Sequence, residues 1–113
     1  MEYNKEYLKL GSIEMLVLNL LKKEDLHVFQ IIGIFAKKSN CRYRVTEGSL
    51  HPILSELLYQ GYITTYRALS EDNIMMDYYH IEDSGKKYFK KVMSDWLEAL
   101  ENVLAIMDTN YLL

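Results

Sequence analysis

Apolar residues along this chain recur mostly at helical spacing, with one alternating β-rich stretch between the third and fourth stripes. Ile13, Leu16, Val17, Leu20 and Leu21 form the first stripe behind Ser12, a plausible N-cap. Tyr3, Tyr7 and Leu10 carry the spacing upstream, so residues 1–23 read as a helix with a candidate interruption at Gly11. Met15 and Leu18 lie off the stripe, and a helix apolar on two sides is either central or shared with a second subunit. Val28, Ile31, Ile32 and Phe35 predict a second helix over 27–38, ended by Lys37-Lys38-Ser39-Asn40. Cys41 to Val45 reads as a brief extended segment or turn.

The third stripe is the best punctuated. Thr46 can cap the first turn through its hydroxyl, and Glu47 follows where the helix dipole favours a negative charge. Leu50, Ile53, Leu54, Leu57 and Leu58 make one buried face, and Gly61 frees the backbone for the turn out. Pro52 leaves two starts open. A start at Thr46 puts the proline inside the helix, with Gly48 leaving room, and a start at Ser49 puts it in the first turn. Tyr62–Leu69 and Ile74–Ile81 are rich in β-branched and aromatic residues, and Ser70-Glu71-Asp72-Asn73 between them is turn material. A last helix runs from Asp83, a candidate N-cap, to about Thr109, along Phe89, Val92, Met93, Trp96, Leu97, Leu100, Val103, Leu104 and Met107.

The order of elements is that of a winged helix-turn-helix: mostly α, three helices and a small two-stranded β-hairpin as wing. Residues 1–82 form that domain, with the recognition helix at 46–61 and the wing at 62–81. Residues 83–113 form a long dimerisation helix, because a domain this small has no groove for so long an apolar face. Half the residues are apolar, ample for a core. No apolar run approaches the ~20 residues that a membrane helix needs. The first residues lack the basic flank and apolar core of a secretion signal, and Cys41 is the only cysteine, so a cytoplasmic protein without membrane attachment is expected. The net charge of -3 is unusual for a small DNA-binding domain and counts against nucleic acid.

Several blocks resemble the PadR family of transcriptional regulators. Leu8-Lys9-Leu10-Gly11-Ser12-Ile13-Glu14 resembles the family's opening, and Leu26-His27-Val28-Phe29-Gln30-Ile31 resembles its second helix, where glycine-tyrosine usually replaces Val28-Phe29. Thr46-Glu47-Gly48-Ser49-Leu50-His51-Pro52-Ile53-Leu54 is the most specific block; Gly61-Tyr62-Ile63, Tyr78-Tyr79-His80-Ile81 and Gly85 follow in order. The resemblance covers about residues 8–108 and is closest to the short subgroup with a single C-terminal helix. It implies a winged-helix homodimer that binds operator DNA, usually as a repressor, and that in several members answers to small aromatic or cationic compounds. Two departures stand out. The family commonly has arginine or lysine at the positions of Ser55 and Glu56, and a basic run before the paired tyrosines; here residues 46–61 hold no Lys or Arg, and the wing reads Glu71, Asp72, Asn73, Ile74, Met75, Met76, Asp77.

Phosphate neutralisation supplies most non-specific DNA affinity, so the candidate backbone contacts are Lys37, Lys38, Arg42, Arg44 and Arg67. Thr46 at the start of the third helix is a further DNA-binding candidate, and Glu47, Ser49, His51 and Ser55 near its exposed N-terminal side are the candidate base readers. The bland alternative is that Ser49 and Glu47 serve the helix start and His51 is a solvated surface residue. Trp96 is either a packed aromatic at the subunit seam or a flat wall for an effector, with Met93, Leu97 and Leu100 as lining and Tyr7 and Met15 closing the site. Phe89, Val92, Met93, Trp96, Leu100, Val103, Leu104 and Met107 are the expected dimer contacts. Lys86, Lys87, Lys90 and Lys91 make a basic face that ordinarily is solvated. His27, His51 and His80 sit in different elements without metal-ligand spacing, and no phosphate loop or nucleophile motif occurs, so neither a metal, a cofactor nor an enzyme is expected. The reading is a dimeric, sequence-specific DNA-binding repressor. Its alternative is a degenerate winged-helix dimer that has lost strong DNA binding and works by pairing with other proteins.

Overall fold

A computed structural model describes residues 13–107 of the chain. Tyr3, Tyr7, Leu10, the expected interruption at Gly11, the cap at Ser12 and the chain end beyond Met107 lie outside the described residues. In chain order the elements are α1 (described over residues 13–21), β1 (Leu26–His27), α2 (Val28–Lys38), α3 (Glu47–Tyr59), β2 (Ile63–Leu69), β3 (Met75–Ile81) and α4 (Asp83–Ile106).

The helical stripes meet in one core. Ile13, Val17, Leu18 and Leu21 of α1 join Ile31 and Phe35 of α2, Leu50, Leu54 and Leu57 of α3, Ile63 and Ile81 of the sheet, and Phe89 of α4. Leu18, placed off the stripe by sequence, is fully buried, because the inner face of α1 is centred on Val17 and Leu18. Leu16 and Leu20 are half-buried and line a groove of about 230 Å³ with Ile34, Phe35 and Tyr43.

The sheet has three strands, in the order β1-β3-β2, where two were expected. Leu26 and His27 pair antiparallel with Tyr79 and Tyr78. His27 is therefore strand and cap at once. Its Nδ1 accepts from the Gln30 amide at 3.3 Å while its own amide donates to Gln30 Oε1 at 2.9 Å, so α2 begins at Val28. The β2–β3 hairpin runs from Ile63 opposite Ile81 to Leu69 opposite Met75. Asn73 takes the left-handed turn position at φ 60°, which asparagine tolerates better than most residues.

Helix α4 starts one residue off the expected cap. Glu82, not Asp83, is the N-cap, and it makes no side-chain cap bond. Its carboxylate is engaged in the sheet instead, accepting from Thr64 Oγ1 at 2.9 Å. Gly85 sits against the backbone of the residue just before β2: a Cβ there would run into the Tyr62 carbonyl oxygen and lie 2.8 Å from Ile81 Cγ1. Tyr88 stacks on Tyr62 with ring centres 4.2 Å apart and donates its hydroxyl to Glu14 of α1 at 3.0 Å. Burial, and then the Glu14 hydrogen bond, push the Tyr88 hydroxyl up to about 12. Phe89 was expected at the dimer seam. It is instead buried inside its own chain, with Lys22 Nζ 4.6 Å above its ring, and offers a partner no surface. Beyond it the apolar stripe is open: Val92 and Leu104 are half-buried, and Met93, Trp96, Leu97, Leu100, Val103 and Met107 are exposed.

Candidate nucleic-acid interface

Helix α3 is held at both ends by its own sequence. Thr46 Oγ1 accepts from the Ser49 amide at 3.1 Å and Ser49 Oγ accepts from the Thr46 amide at 2.9 Å, a reciprocal capping box. The helix thus starts at Glu47, and Pro52 stands inside it on the exposed side. At the far end Gly61 adopts φ 77°, while its amide donates to Leu58 O and the Tyr62 amide reaches back to Leu57 O. Buried Leu50, Leu54 and Leu57 turn Glu47, His51 and Ser55 to solvent. Ser49 differs from those three. Its hydroxyl also donates to Thr46 O at 2.9 Å, so it is half-buried in the cap and would have to leave it to read a base.

The last turn of α2 and the link to α3 carry the cations. Asn40 and Cys41 both take positive φ, at 53° and 63°, and the Ser39 hydroxyl donates to Phe35 O and accepts from the Tyr43 amide. This tight turn leaves Lys37, Lys38, Arg42 and Arg44 exposed just ahead of the α3 N-terminus. Arg67 is on strand β2 of the wing.

Alternation along the hairpin decides what faces α3. Arg67, Met75, Asp77 and Tyr79 point to one side and, with Phe29, Glu47, His51 and Leu54, line a cleft of about 300 Å³ between α3 and the wing. Arg67 and Asp77 are cross-strand partners, with Nε 3.8 Å from Oδ1. Burial raises the Tyr79 hydroxyl above its ordinary value, and the nearby Asp77 and Glu47 carboxylates add to the shift. The cleft therefore unites three expected site residues, Glu47, His51 and Arg67, with Asp77, which the sequence showed only as part of an acidic wing.

The opposite face of the sheet holds a polar network that was also missed. Asp25, in the turn before β1, accepts from Tyr66 at 2.7 Å and lies 2.8 Å from His80 Nδ1. Partial burial pulls the Asp25 carboxyl up, but the bonds from Tyr66 and His80 outweigh it and leave it below its ordinary value. Tyr66 stacks on Tyr78, whose ring meets that of His27 edge-on. The network ties the base of the wing to the start of α2.

The proposed effector residues are less gathered. Met93 and Leu97 share a shallow open groove of about 540 Å³ along α4 with Lys90, Ser94, Glu98 and Glu101, which Trp96 and Leu100 do not line. Met15 packs against the core from α1, and Tyr7 lies outside the described residues. Among the described residues no cluster of His, Cys, Asp and Glu is arranged for a metal ion, and no helix is long and apolar enough to cross a membrane.

Comparison with known proteins agrees with the element order. No curated protein matches the chain in sequence. A transcriptional regulator from Clostridium thermocellum superposes with a TM-score of 0.76 at 26% identity, over 87% of this chain and 94% of its own. A PadR-like transcription factor from Bacteroides fragilis gives 0.71 at 26% identity, over 93% and 99%. At 20% identity, a PadR family regulator from Eggerthella lenta shares the fold at a TM-score of 0.80, over 96% and 92%. The sequence profile of the PadR-like transcriptional regulator family matches residues 17–91, which include α2, α3 and the whole wing. The chain belongs to the PadR-like family of transcriptional regulators.

Proposed function

We propose that the protein is a cytoplasmic, homodimeric repressor that binds operator DNA through α3 and the wing. The observation that carries this reading is the exposed N-terminal half of α3, capped and rigid, with Glu47, His51 and Ser55 open to solvent. Lys37 and Lys38 close α2, Arg42 and Arg44 lie in the link that leads into α3, and all four are exposed. A carboxylate at Glu47 can accept from cytosine N4, and His51 can reach a phosphate or a purine acceptor. The four cations suit phosphate oxygens, and two subunits double them over two half-sites. The second subunit packs along the open stripe of α4, where Trp96 and its apolar neighbours offer a site for a flat aromatic or cationic effector.

Fluorescence anisotropy with DNA from the protein's own promoter, repeated over a range of salt, tests the first part. Binding that is specific and weakens with salt is the expected result; no binding at low salt removes it. Titration with flat aromatic dyes tests the effector site, since a ligand at the seam quenches Trp96 and a silent titration means the seam is only packed.

One observation favours a second reading. Residues 46–61 contain no Lys or Arg, and the wing turn carries Glu71 and Asp72. A protein of this kind that had lost strong DNA binding would act by pairing with another subunit through α4. It would then form dimers or mixed dimers in solution while showing no affinity for any duplex.

A further inference from the structure

From Val45 to Gly85 the chain contains a single Lys or Arg, Arg67. That one cation is the only fixed positive charge on α3 and the wing together, and it faces a carboxylate. Register places Asp77 directly across from Arg67 on the neighbouring strand, and the Arg67 Nε lies 3.8 Å from Asp77 Oδ1. Both side chains are well exposed, at 65% and 59%, and both line the cleft beside Glu47 and His51. The guanidinium is thus held at the mouth of the site and is open to solvent, with its charge already answered from within the molecule.

A carboxylate and a phosphate oxygen compete for the same donors on a guanidinium. A cross-strand partner is always close at hand, because the hairpin register sets the two residues opposite each other. We propose that Asp77 is an internal stand-in for the DNA phosphate, a positioning residue that occupies Arg67 and sets the affinity of the interface low. This rests on the proposed DNA-binding function and names a regulating contact within that same site. In the native protein Arg67 adds little to counterion release. With Asp77 neutralised, Arg67 turns to the backbone and adds one phosphate contact per subunit. An exposed ion pair is weak, so Asp77 attenuates binding and does not block it.

The test is a double-mutant cycle read by anisotropy with promoter DNA at several salt concentrations, using the full chain as native, Asp77→Asn, Arg67→Gln and the double variant. Asp77→Asn is expected to tighten binding roughly tenfold for a dimer. It is also expected to steepen the slope of log affinity against log salt by about one per subunit. In the Arg67→Gln background both gains should vanish. Equal gains with and without Arg67 would overturn the inference, since Asp77 would then act only as a distant repelling charge. A native protein that binds DNA while Asp77→Asn neither tightens binding nor changes the slope would overturn it and leave the DNA-binding reading standing. Absence of binding by all four forms at low salt would overturn both. Binding gained only in Asp77→Asn, and only with Arg67 present, would support it. Asp77→Ser serves as a second neutral variant should Asp77→Asn disturb the hairpin, and circular dichroism reports the fold of each.

Discussion

Thr46 and Ser49 satisfy each other's backbone amides, so the cap of α3 is built from two local hydroxyls. Thr46→Ala should cost about 1 kcal/mol, the usual loss for an N-cap. In a domain of this size that lowers the melting temperature by about 4–8 °C, measurable by calorimetry. Asp25 makes a pH-dependent contribution. Its carboxyl sits below the ordinary value of 3.8 because Tyr66 and His80 hydrogen-bond its charged form. The unfolded chain therefore takes up the proton first as pH falls. The stabilisation is complete above about pH 4 and is lost below it, as the pH drops through the folded value. Asp25→Asn should melt lower than the native protein at neutral pH, with the gap closing in acid. A gap that stays constant from pH 7 to about pH 3 would mean that the network holds by packing alone.

Among the elements, the long ones were legible and the short ones were not. The stripe from Leu50 to Leu58, the Gly61 stop and the β-rich runs flanking Ser70–Asn73 each carry a period or a punctuation mark, and each became the element it suggested. Strand β1 has two residues, too few for any alternation to appear, and it exists only because Tyr78 and Tyr79 lie alongside. The partners of Asp25 are distant in sequence, and the pairing of Arg67 with Asp77 depends on hairpin register, which composition does not carry. Phe89 belongs to the same stripe as Trp96, and only the way α4 leans on α1 and β2 separates a core residue from a surface one. That leaning depends on Gly85. Gly85→Ala forces a methyl into the Tyr62 carbonyl and should destabilise the protein by about 1–3 kcal/mol, as overpacking does. The check is a urea unfolding curve whose midpoint falls; an unchanged midpoint would mean that α4 shifts freely on the domain.

At the scale of the whole molecule, the run of exposed Met93, Trp96, Leu97, Leu100 and Val103 is larger than scattered surface apolar residues and would form the seam of the proposed dimer. Leu100→Glu places a charge in the middle of it and should convert a dimer to a monomer in light scattering, with tryptophan emission moving to longer wavelength as Trp96 meets water. A native protein that is already monomeric at micromolar concentration would remove the dimer from the proposed function.

The pairing of Leu26 and His27 with Tyr79 and Tyr78 also bears on how the chain folds. The β2–β3 hairpin is local and can form on its own turn. Short-range contacts join it to α3, but its pairing with β1 closes a loop of roughly fifty residues, and that closure carries an entropic cost before any contact rewards it. The β1–β3 pairing is thus expected to form late in folding. In refolding experiments, protection from hydrogen exchange should reach the seam between β1 and β3 after α2 and α3, the His27 amide excepted because it is already held by Gln30. A protein truncated before β3 would leave the start of α2 without its strand.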